Sequence, residues 1–161
     1  MNRMSIPEFI IELKKGYSGP LEYQQRSEKR VYIRVPRENI QDIAFVIFRK
    51  MGAKFSIASG VDVQKGFEVL YHFTFDRDNF ICTVRTLAPR DDPKLDSIAS
   101  IVPGALWIER EIYDILGVVF TGHPKLKRLV KAEFIGEHEF PFRKDFDQKK
   151  FKEKHKLPIP K

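Results

Sequence analysis

The side chains best suited to chemistry lie in one short stretch, residues 109–129. Its acidic-basic-acidic run at 109–111 is followed by Asp114, by a Gly-His-Pro turn at His123, and by a basic cluster. Carboxylates and histidines serve as general acids and bases, and basic clusters are typical of nucleic-acid binding. The stretch could therefore form an active site, a nucleic-acid surface, or a surface that grips another protein.

Glu109 and Glu111 are poorly placed to act as paired catalytic carboxylates. Apolar residues repeat at helical spacing from Gly104 to Leu116, which predicts a helix that ends at Gly117. Residues two apart on a helix point in different directions and cannot flank one bond. A small hydrolase that used Glu111 and His123 would rest on side-chain types alone.

The charges of this helix need partners from elsewhere. Arg110 and Asp114 are four residues apart and can pair along the helix, which would contribute about 0.3 kcal/mol if exposed. That is too little for so many charges, so another segment or another protein should supply cations. We expect a network that ties the helix to the following loop and fixes a docking surface. Its expected members are Glu109, Arg110, Glu111, Asp114, His123 and Arg128.

Cofactor motifs are missing from the sequence. Cys82 is the single cysteine, so one thiolate could hold neither an iron–sulfur cluster nor a structural zinc. Its alternating apolar neighbours favour an inert thiol buried in a strand. The four histidines never pair at the i, i+4 spacing of a helical metal site, and no glycine run has the spacing that cradles a phosphate. The sequence thus predicts no cofactor, no metal site and no catalytic residue.

A net charge of +7 on 161 residues favours acidic partners, which include nucleic acid, anionic membrane surfaces and acidic protein faces. A basic RNA-binding or ribosome-associated α+β module is therefore the alternative function. It rests on the cluster Lys125, Lys127, Arg128 and Lys131. No recognisable RNA-binding motif accompanies this cluster, and the aromatic residues fall where core positions are expected, so direct nucleic-acid binding is disfavoured.

Membrane contact is expected to be peripheral. The N-terminal segment lacks the long apolar core of a signal peptide. The longest unbroken apolar run, Ile43 to Phe48, is far shorter than the ~20 residues that span a bilayer. The lone cysteine fits a reducing cytoplasm.

The elements that position these residues follow from caps and periodicity. Ser5 and Glu8 form a capping box, which begins a helix that ends near Gly16. Strands are predicted at Arg30–Val35 and Phe55–Val63, with a hairpin from Phe67–Phe75 and Phe80–Leu87. Further helices are predicted at Pro36–Met51, from Asp91 to Ile101, and after Pro103. The fold class is α+β, with a mainly antiparallel sheet and helices packed on one face.

The C-terminal residues differ in composition from the rest. After Pro141 apolar residues thin out, and lysines alternate with acids and prolines. We therefore predict an α+β domain at residues 1–142 and an extended docking arm at 143–161. The residues spaced like anchors on such an arm are Phe146, Phe151, Leu157 and Ile159.

Two motifs in the last third of the sequence resemble the signatures of the 30 kDa subunit of respiratory complex I. The first runs from Glu-Arg-Glu-x-x-Asp at Glu109 through two aliphatic residues to His123, then to Lys127 and two further aliphatic residues. The second resembles the family's closing Pro-Leu-Arg-Lys-Asp motif. It reads Pro141-Phe142-Arg143-Lys144-Asp145.

The resemblance implies a subunit without redox centres of its own. Members of this family pack in the hydrophilic arm against the large subunit that carries the quinone site, or the nickel–iron site in related membrane-bound hydrogenases, near an iron–sulfur subunit. The expected function is a non-catalytic, peripheral docking subunit on the cytoplasmic face of the membrane, which touches the membrane only through the complex. The motif residues are its expected interface.

One segment departs from the respiratory pattern. Where that family usually has Gly-His-Pro-Leu-Arg-Lys, this protein has residues 136–140 before Pro141, and Phe142 replaces leucine. The departure favours the ferredoxin-linked, hydrogenase-type complexes over NADH:quinone oxidoreductase.

Overall fold

The computed structural model describes residues 3–157. In sequence order the elements are α1 (Ile6–Gly16), β1 (Glu22–Ser27), β2 (Arg30–Arg34), α2 (Ile40–Phe45), β3 (Lys54–Val63), β4 (Gly66–Phe75), β5 (Phe80–Pro89), β6 (Lys94–Asp96), α3 (Ala105–Leu116), β7 (Val119–Thr121) and α4 (Gln148–His155). A 3₁₀ turn at Arg37–Asn39 leads into α2, and a π-helical stretch at Val46–Lys50 continues it.

The predicted sheet is confirmed. Five strands lie in the order β1-β2-β5-β4-β3, and all neighbours are antiparallel except β2 and β5. Alternate residues of β4, including Phe67, Tyr71 and Phe73, are buried on one face of the sheet. On that face Phe9 of α1 packs against Phe75, with ring centroids 5.1 Å apart. Helices therefore cover one face of the sheet, as the α+β prediction requires.

Local signals placed the first helices correctly. The Ser5 hydroxyl accepts the Glu8 N–H (3.4 Å), and the Glu8 carboxylate accepts the Ser5 N–H (2.7 Å), which completes the predicted capping box. Gly52 has a φ of 70° and follows the second helical segment, where the sequence predicts a stop. The predicted β4–β5 hairpin also forms, with Phe75 opposite Phe80.

The helix predicted from Asp91 to Ile101 is wrong. Lys94–Asp96 instead forms β6, which pairs in parallel with β7, and the Ser97 N–H donates to the Thr121 carbonyl (2.8 Å). These partners lie far apart in the sequence, so no local pattern reports them. Strand β1 was not predicted either, because all six of its residues are exposed and show no alternation.

The C-terminal arm is not extended throughout, contrary to the prediction. Gln148–His155 is helical because the Asp147 carboxylate accepts the N–H groups of Lys149 (3.0 Å) and Lys150 (3.1 Å) and so caps α4. Two of the expected anchors, Phe146 and Phe151, pack on each other at 5.2 Å. The expected anchor Ile159 and the prolines beside it lie outside the described residues.

Helix α4 is held against the preceding loop. Phe151 and His155 are one turn apart, and both pack on Phe134, with ring centroids 6.4 and 5.6 Å away. The Lys154 ammonium, the Gly136 N–H and His155 surround Glu139, and they lower the pKa of its carboxyl to about 2. Within residues 3–157 no helix is long and apolar enough to cross a membrane.

Candidate docking site

Close packing fixes the position of α3, which carries the first motif. A Cβ atom at Gly60 of β3 would lie 2.7 Å from Leu116 Cδ1 and 3.0 Å from Ile112 Cγ2, so the helix approaches the strand where a side chain is missing. Gly117 ends the helix with a φ of 74°, and its N–H donates to the Tyr113 carbonyl (2.8 Å). The charged residues of α3 are thereby held in fixed directions.

Glu109 points into the core rather than to the surface, and its side chain is fully buried. The Tyr71 hydroxyl (3.1 Å) and the Ile98 N–H (2.9 Å) donate to Oε1, and the Ser97 hydroxyl donates to Oε2. Gln41 in turn donates to the Ser97 carbonyl (2.8 Å). This carboxyl therefore connects α3 to the sheet and to the turn after β6. It does not join the loop network that the sequence predicts.

The environment of Glu109 favours its protonated form. Burial raises the pKa of Glu109 to about 7, although the hydrogen bonds from Ser97, Ile98 and Tyr71 favour the charged form. Burial, with the nearby Glu109 carboxyl, also raises the pKa of the Tyr71 hydroxyl. The raised pKa values of both groups mean that Glu109 and Tyr71 tend to hold their protons near neutral pH.

The stability of the fold should consequently fall as the pH rises through about 7. A carboxyl whose folded pKa is raised stabilises the protein below its unfolded pKa, near 4.5, and that contribution disappears as pH rises through the folded pKa. The full shift corresponds to at most about 3 kcal/mol between pH 4.5 and 8. Urea denaturation of the wild type and of Glu109→Gln at several pH values measures this.

Glu109→Gln provides the control because it keeps an acceptor and does not ionise. We expect a less steep decline of unfolding free energy with pH in this variant. The difference between the two pH profiles isolates the contribution of Glu109. It removes groups whose effect on stability has the opposite pH dependence, such as His72, whose pKa is lowered by burial. Parallel profiles for the two proteins would contradict the assignment.

Arg110 and Asp114, on another side of α3, organise the segment 127–131, hereafter the docking loop. Arg110 donates from Nε to the Lys127 carbonyl (3.1 Å) and from Nη2 to the Arg128 carbonyl (3.0 Å). The pairing of Arg110 with Asp114 along the helix is therefore replaced by bonds to the loop backbone. This part of the predicted network does connect the helix to the loop.

Asp114 accepts three consecutive backbone N–H groups through a single oxygen. The N–H groups of Leu129, Val130 and Lys131 lie 2.9, 2.7 and 2.8 Å from Oδ2. Burial opposes ionisation, but these donors and the Lys131 ammonium lower the pKa of Asp114 below its usual value. The carboxylate is 1% exposed, and Lys131 Nζ (3.7 Å) and Arg128 Nε (3.8 Å) face its other oxygen.

Two residues of the basic cluster point inward. The Lys131 ammonium donates to the carbonyls of Gly136, Glu137 and Glu139 at 2.9–3.3 Å. Arg128 donates to the carbonyls of Ala132 and Ile135, both at 2.9 Å. These cations satisfy loop carbonyls, so half of the cluster that motivated the RNA-binding alternative has a structural role.

His123 also has a structural environment. Its Nδ1 accepts the Lys125 N–H (3.0 Å), so its Nε2 carries the proton and donates to the Leu106 carbonyl (3.0 Å). Both ring nitrogens are engaged by backbone groups, which leaves the ring poorly placed to act as a base. Glu111 is half-buried and has no hydrogen-bond or salt-bridge partner within residues 3–157. The hydrolase interpretation therefore gains no support.

The closing motif packs on the C-terminal end of α3. Arg143 donates from Nε to the Leu116 carbonyl (2.7 Å), and its guanidinium lies over the rings of Phe140 (4.1 Å) and Phe67 (4.6 Å). Half-buried Pro141 lies in the same segment. Any side chain at Gly117 would collide with Arg143 and Phe140. The glycine that ends α3 therefore also leaves the space in which the closing motif packs.

The next two residues of the motif are tied to the sheet. The Lys144 N–H donates to Asp62 Oδ2 (2.8 Å), and Lys144 as a residue is exposed. Arg90 pairs with the other oxygen of Asp62 and reaches Asp145 at 3.4 Å. Burial opposes ionisation of Asp62, but the Lys144 N–H and Arg90 lower its pKa. Residues 143–145 are thus bound to the domain rather than free.

Several partners in these networks were not found from sequence. Tyr71 and Ser97 bind Glu109, Asp62 binds the closing motif, and Lys131 supports Asp114. In the sequence, Tyr71 looks like an ordinary core residue of a strand. Asp62 interrupts an otherwise apolar strand, and this interruption is the one sequence feature that indicates a polar role. Within residues 3–157 no group of three or more His, Cys, Asp or Glu side chains could hold a metal ion.

The docking loop presents apolar side chains to solvent. Leu129 and Val130 are 40% and 55% exposed, although their N–H groups are bound by Asp114. Trp107 of α3, 60% exposed, stacks on Arg110 at 4.8 Å, and Arg110 holds the loop backbone. We call Trp107, Leu129 and Val130 the apolar patch. Exposed apolar groups held on a rigid support are typical of protein interfaces.

Comparison with known families identifies a match to the description "Respiratory-chain NADH dehydrogenase, 30 Kd subunit", over residues 33–152. A NADH-quinone oxidoreductase subunit from Xanthobacter autotrophicus is 42% identical over 90 residues, which are 54% of this protein and 42% of that relative. The corresponding subunit from Jannaschia sp. is 37% identical over 114 residues, covering 66% and 54%. The protein thus spans about half the length, or less, of these curated relatives.

Two solved structures are similar across most of the fold. One belongs to the membrane-bound sulfane sulfur reductase, an archaeal respiratory membrane complex. It matches with a TM-score of 0.79 and 27% identity, covering 96% of this protein and 94% of the matched polypeptide. The other is a trypsin-resistant fragment of Nqo5, with a TM-score of 0.61 and 25% identity, covering 75% and 98%.

Proposed function

Because the protein belongs to the family of the 30 kDa subunit of respiratory-chain NADH dehydrogenase, we propose that it is a non-catalytic, peripheral subunit of a complex I-like membrane-bound oxidoreductase. Its task is to dock on the large catalytic subunit, of the quinone-site or nickel–iron type, beside an iron–sulfur subunit. It contacts the membrane only through the complex, on the cytoplasmic face.

The use of the motif residues carries this proposal. Arg110 and Asp114 engage the backbone of the docking loop, and Arg143 engages the end of α3. These charges therefore shape a surface rather than face a substrate. That surface presents the apolar patch, with the exposed Lys125 and Lys127 nearby, to a partner with apolar pockets and acidic groups.

The type of complex is a finer part of the proposal. The likeness to a component of the archaeal sulfane sulfur reductase covers 96% of this protein, with a TM-score of 0.79. The unusual segment 136–140 supplies the carbonyls that hold Lys131 and the carboxylate that holds α4. Both observations support the ferredoxin-linked, hydrogenase-type side of the family.

The C-terminal arm, residues 143–161, is proposed as a second part of the docking surface. Lys149 and Lys150 of α4 are exposed, and Lys150 makes a long ion pair of 3.8 Å with Asp147, whereas Lys154 is engaged by Glu139. The helix therefore offers the positive charge of Lys149 and Lys150 to a partner. Arg143 and Lys144 anchor the start of the arm on the domain. The arm therefore begins at a fixed point beside α3.

Co-purification from host membranes tests the docking surface. The tagged wild-type protein should bring down the large and iron–sulfur subunits in equal amounts. The double variant Trp107→Gln, Val130→Gln should lose at least about tenfold of this yield, because exposed aromatic anchors dominate interface energies. A variant truncated after Asp145 should also lose yield while its domain stays folded.

The matched control is Ile11→Gln with Phe45→Gln, since Ile11 is as exposed as Trp107 and lies on α1. This control should assemble normally. Equal yields from both double variants would exclude the apolar patch as the interface. If the wild-type protein brings down no oxidoreductase subunit, the proposed function is wrong.

A further inference from the structure

A groove of about 630 Å³ opens near the C-terminal ends of β2 and β5, lined by none of the motif residues. Four segments line it, residues 20–22, 34–37, 63–65 and 85–87, together with Glu68. This volume falls within the roughly 300–1,000 Å³ of ligand-binding clefts. Nothing in the proposed docking surface accounts for it.

The groove is lined by charged residues of both signs, and its cations differ in how far they are already paired. Its lining has four cationic residues, Arg34, Arg37, Lys65 and Arg85, and two acidic ones, Glu22 and Glu68. Both oxygens of Glu68 are taken by Arg85, at 2.8 and 2.6 Å, and Arg34 reaches the same carboxylate only at 3.5 Å. Arg85 is therefore compensated, whereas Arg34 keeps most of its donors for an outside anion.

Arg37 and Lys65 differ in whether their positive charge is already paired. Arg37 is occupied by Asp92 (3.0 Å) and Glu38 (3.1 Å). Lys65 is exposed and makes no salt bridge within residues 3–157. Lys65 and Arg34 are accordingly the groups positioned to bind a carboxylate from outside.

Two buried polar atoms of the groove residues have no hydrogen-bond partner in the part of the protein that the structure describes. They are Arg85 Nε and the hydroxyl of Thr86, a residue that is only 1% exposed. Buried donors are nearly always satisfied in folded proteins, by protein groups or by water. Arg85 lies on the same face of the sheet as Glu68 and Leu87, at the groove, whereas Thr86 lies on the core-facing side of β5 with Val84. A carboxylate or peptide carbonyl in the groove would therefore supply the acceptor that Arg85 Nε lacks.

The rest of the lining is apolar and distinguishes between classes of anion. It consists of Pro20, Leu21, Val35, Pro36, Val63 and Leu87. A phosphate or a small carboxylate would use the cations but leave these side chains uncovered. A peptide with acidic and apolar side chains would cover both, and one of its carbonyls could reach Arg85 Nε.

We propose that this groove binds a short acidic, partly apolar segment of a neighbouring subunit. The inference rests on the proposed function, which supplies the neighbour. The protein would then act as a bridge. Its apolar patch contacts one subunit, and its groove holds a segment of the same or of another subunit. Charge selects the segment, and the apolar lining of the groove selects its side chains.

Photo-crosslinking in the intact complex tests the inference. A photo-reactive residue at Gln64, which is exposed and lines the groove, should yield a product with a subunit segment richer in Asp and Glu than in Lys and Arg. The same group at Arg77, exposed in the β4–β5 turn and outside the groove, should not yield it. Lys65→Glu should remove most of the Gln64 product, and Lys65→Arg should retain it.

The outcomes separate the two proposals. If the complex co-purifies but Gln64 gives no protein product, a product with a basic segment, or only a lipid or small-molecule adduct, the groove inference is wrong and the proposed function stands. If Lys65→Glu leaves the product unchanged, charge does not select the segment and the inference also fails. If no oxidoreductase subunit co-purifies, both proposals fall.

Discussion

Replacing Glu109 with alanine should lower the free energy of unfolding by about 3–5 kcal/mol. The substitution leaves the Ile98 N–H and the hydroxyls of Tyr71 and Ser97 without an acceptor, because all three donate to this carboxyl in the core. It also leaves a cavity between α3 and the sheet. Urea denaturation of the isolated protein near pH 6 measures the loss.

The matched control is Glu111→Ala on the same helix. Glu111 is half-buried, so its removal should cost less than about 1 kcal/mol. Glu109→Gln should fall between the two, because the amide keeps one acceptor and the hydroxyl groups can reverse direction. Equal stabilities for the two alanine variants would show that the buried network does not hold α3 in place.

Removing Asp114 should have the second large effect, about 3 kcal/mol or more, because it leaves buried cationic and N–H groups without their acceptor. Lys131 has a side chain only 3% exposed, and the three N–H groups of residues 129–131 converge on one carboxylate oxygen. In Asp114→Ala the docking loop should loosen, and co-purification with the large subunit should fall with it.

Hydrogen exchange makes this prediction specific. The amides of Leu129, Val130 and Lys131 should be protected in the wild type and exchange much faster in Asp114→Ala, while the sheet amides keep their protection. Asp145→Ala is the control, since its carboxylate is 63% exposed and its 3.4 Å ion pair with Arg90 should contribute less than about 1 kcal/mol. Unchanged exchange at residues 129–131 would refute the role assigned to Asp114.

Sequence reasoning was reliable where the physical cause is local. The Ser5–Glu8 capping box, the helix stops at Gly52 and Gly117, and the β4–β5 hairpin each depend on residues a few positions apart, and all are present. The spacing of the first motif likewise identified the family without structural information. A hydrogen bond or steric preference that closes within a few residues leaves a readable pattern.

The same reasoning failed where a neighbour from elsewhere decides the outcome. Lys94–Asp96 became a strand because β7 is available to pair with it. Gln148–His155 became a helix because Phe134 receives its aromatic side chains, in addition to the local cap at Asp147, which the prediction of an extended arm overlooked. In both places the segment is compatible with more than one conformation. Tertiary contacts supply the free energy that selects one.

The sequence by itself determined that α3 exists, that it carries charges too numerous to pair along one helix, and that this spacing belongs to the 30 kDa subunit family. Only the tertiary structure decided where those charges point. Glu109 and Arg110 are adjacent, yet one enters a proton-binding cluster in the core and the other holds the docking loop. The reason is that successive residues of a helix point about 100° apart, so whatever packs against each side determines its role.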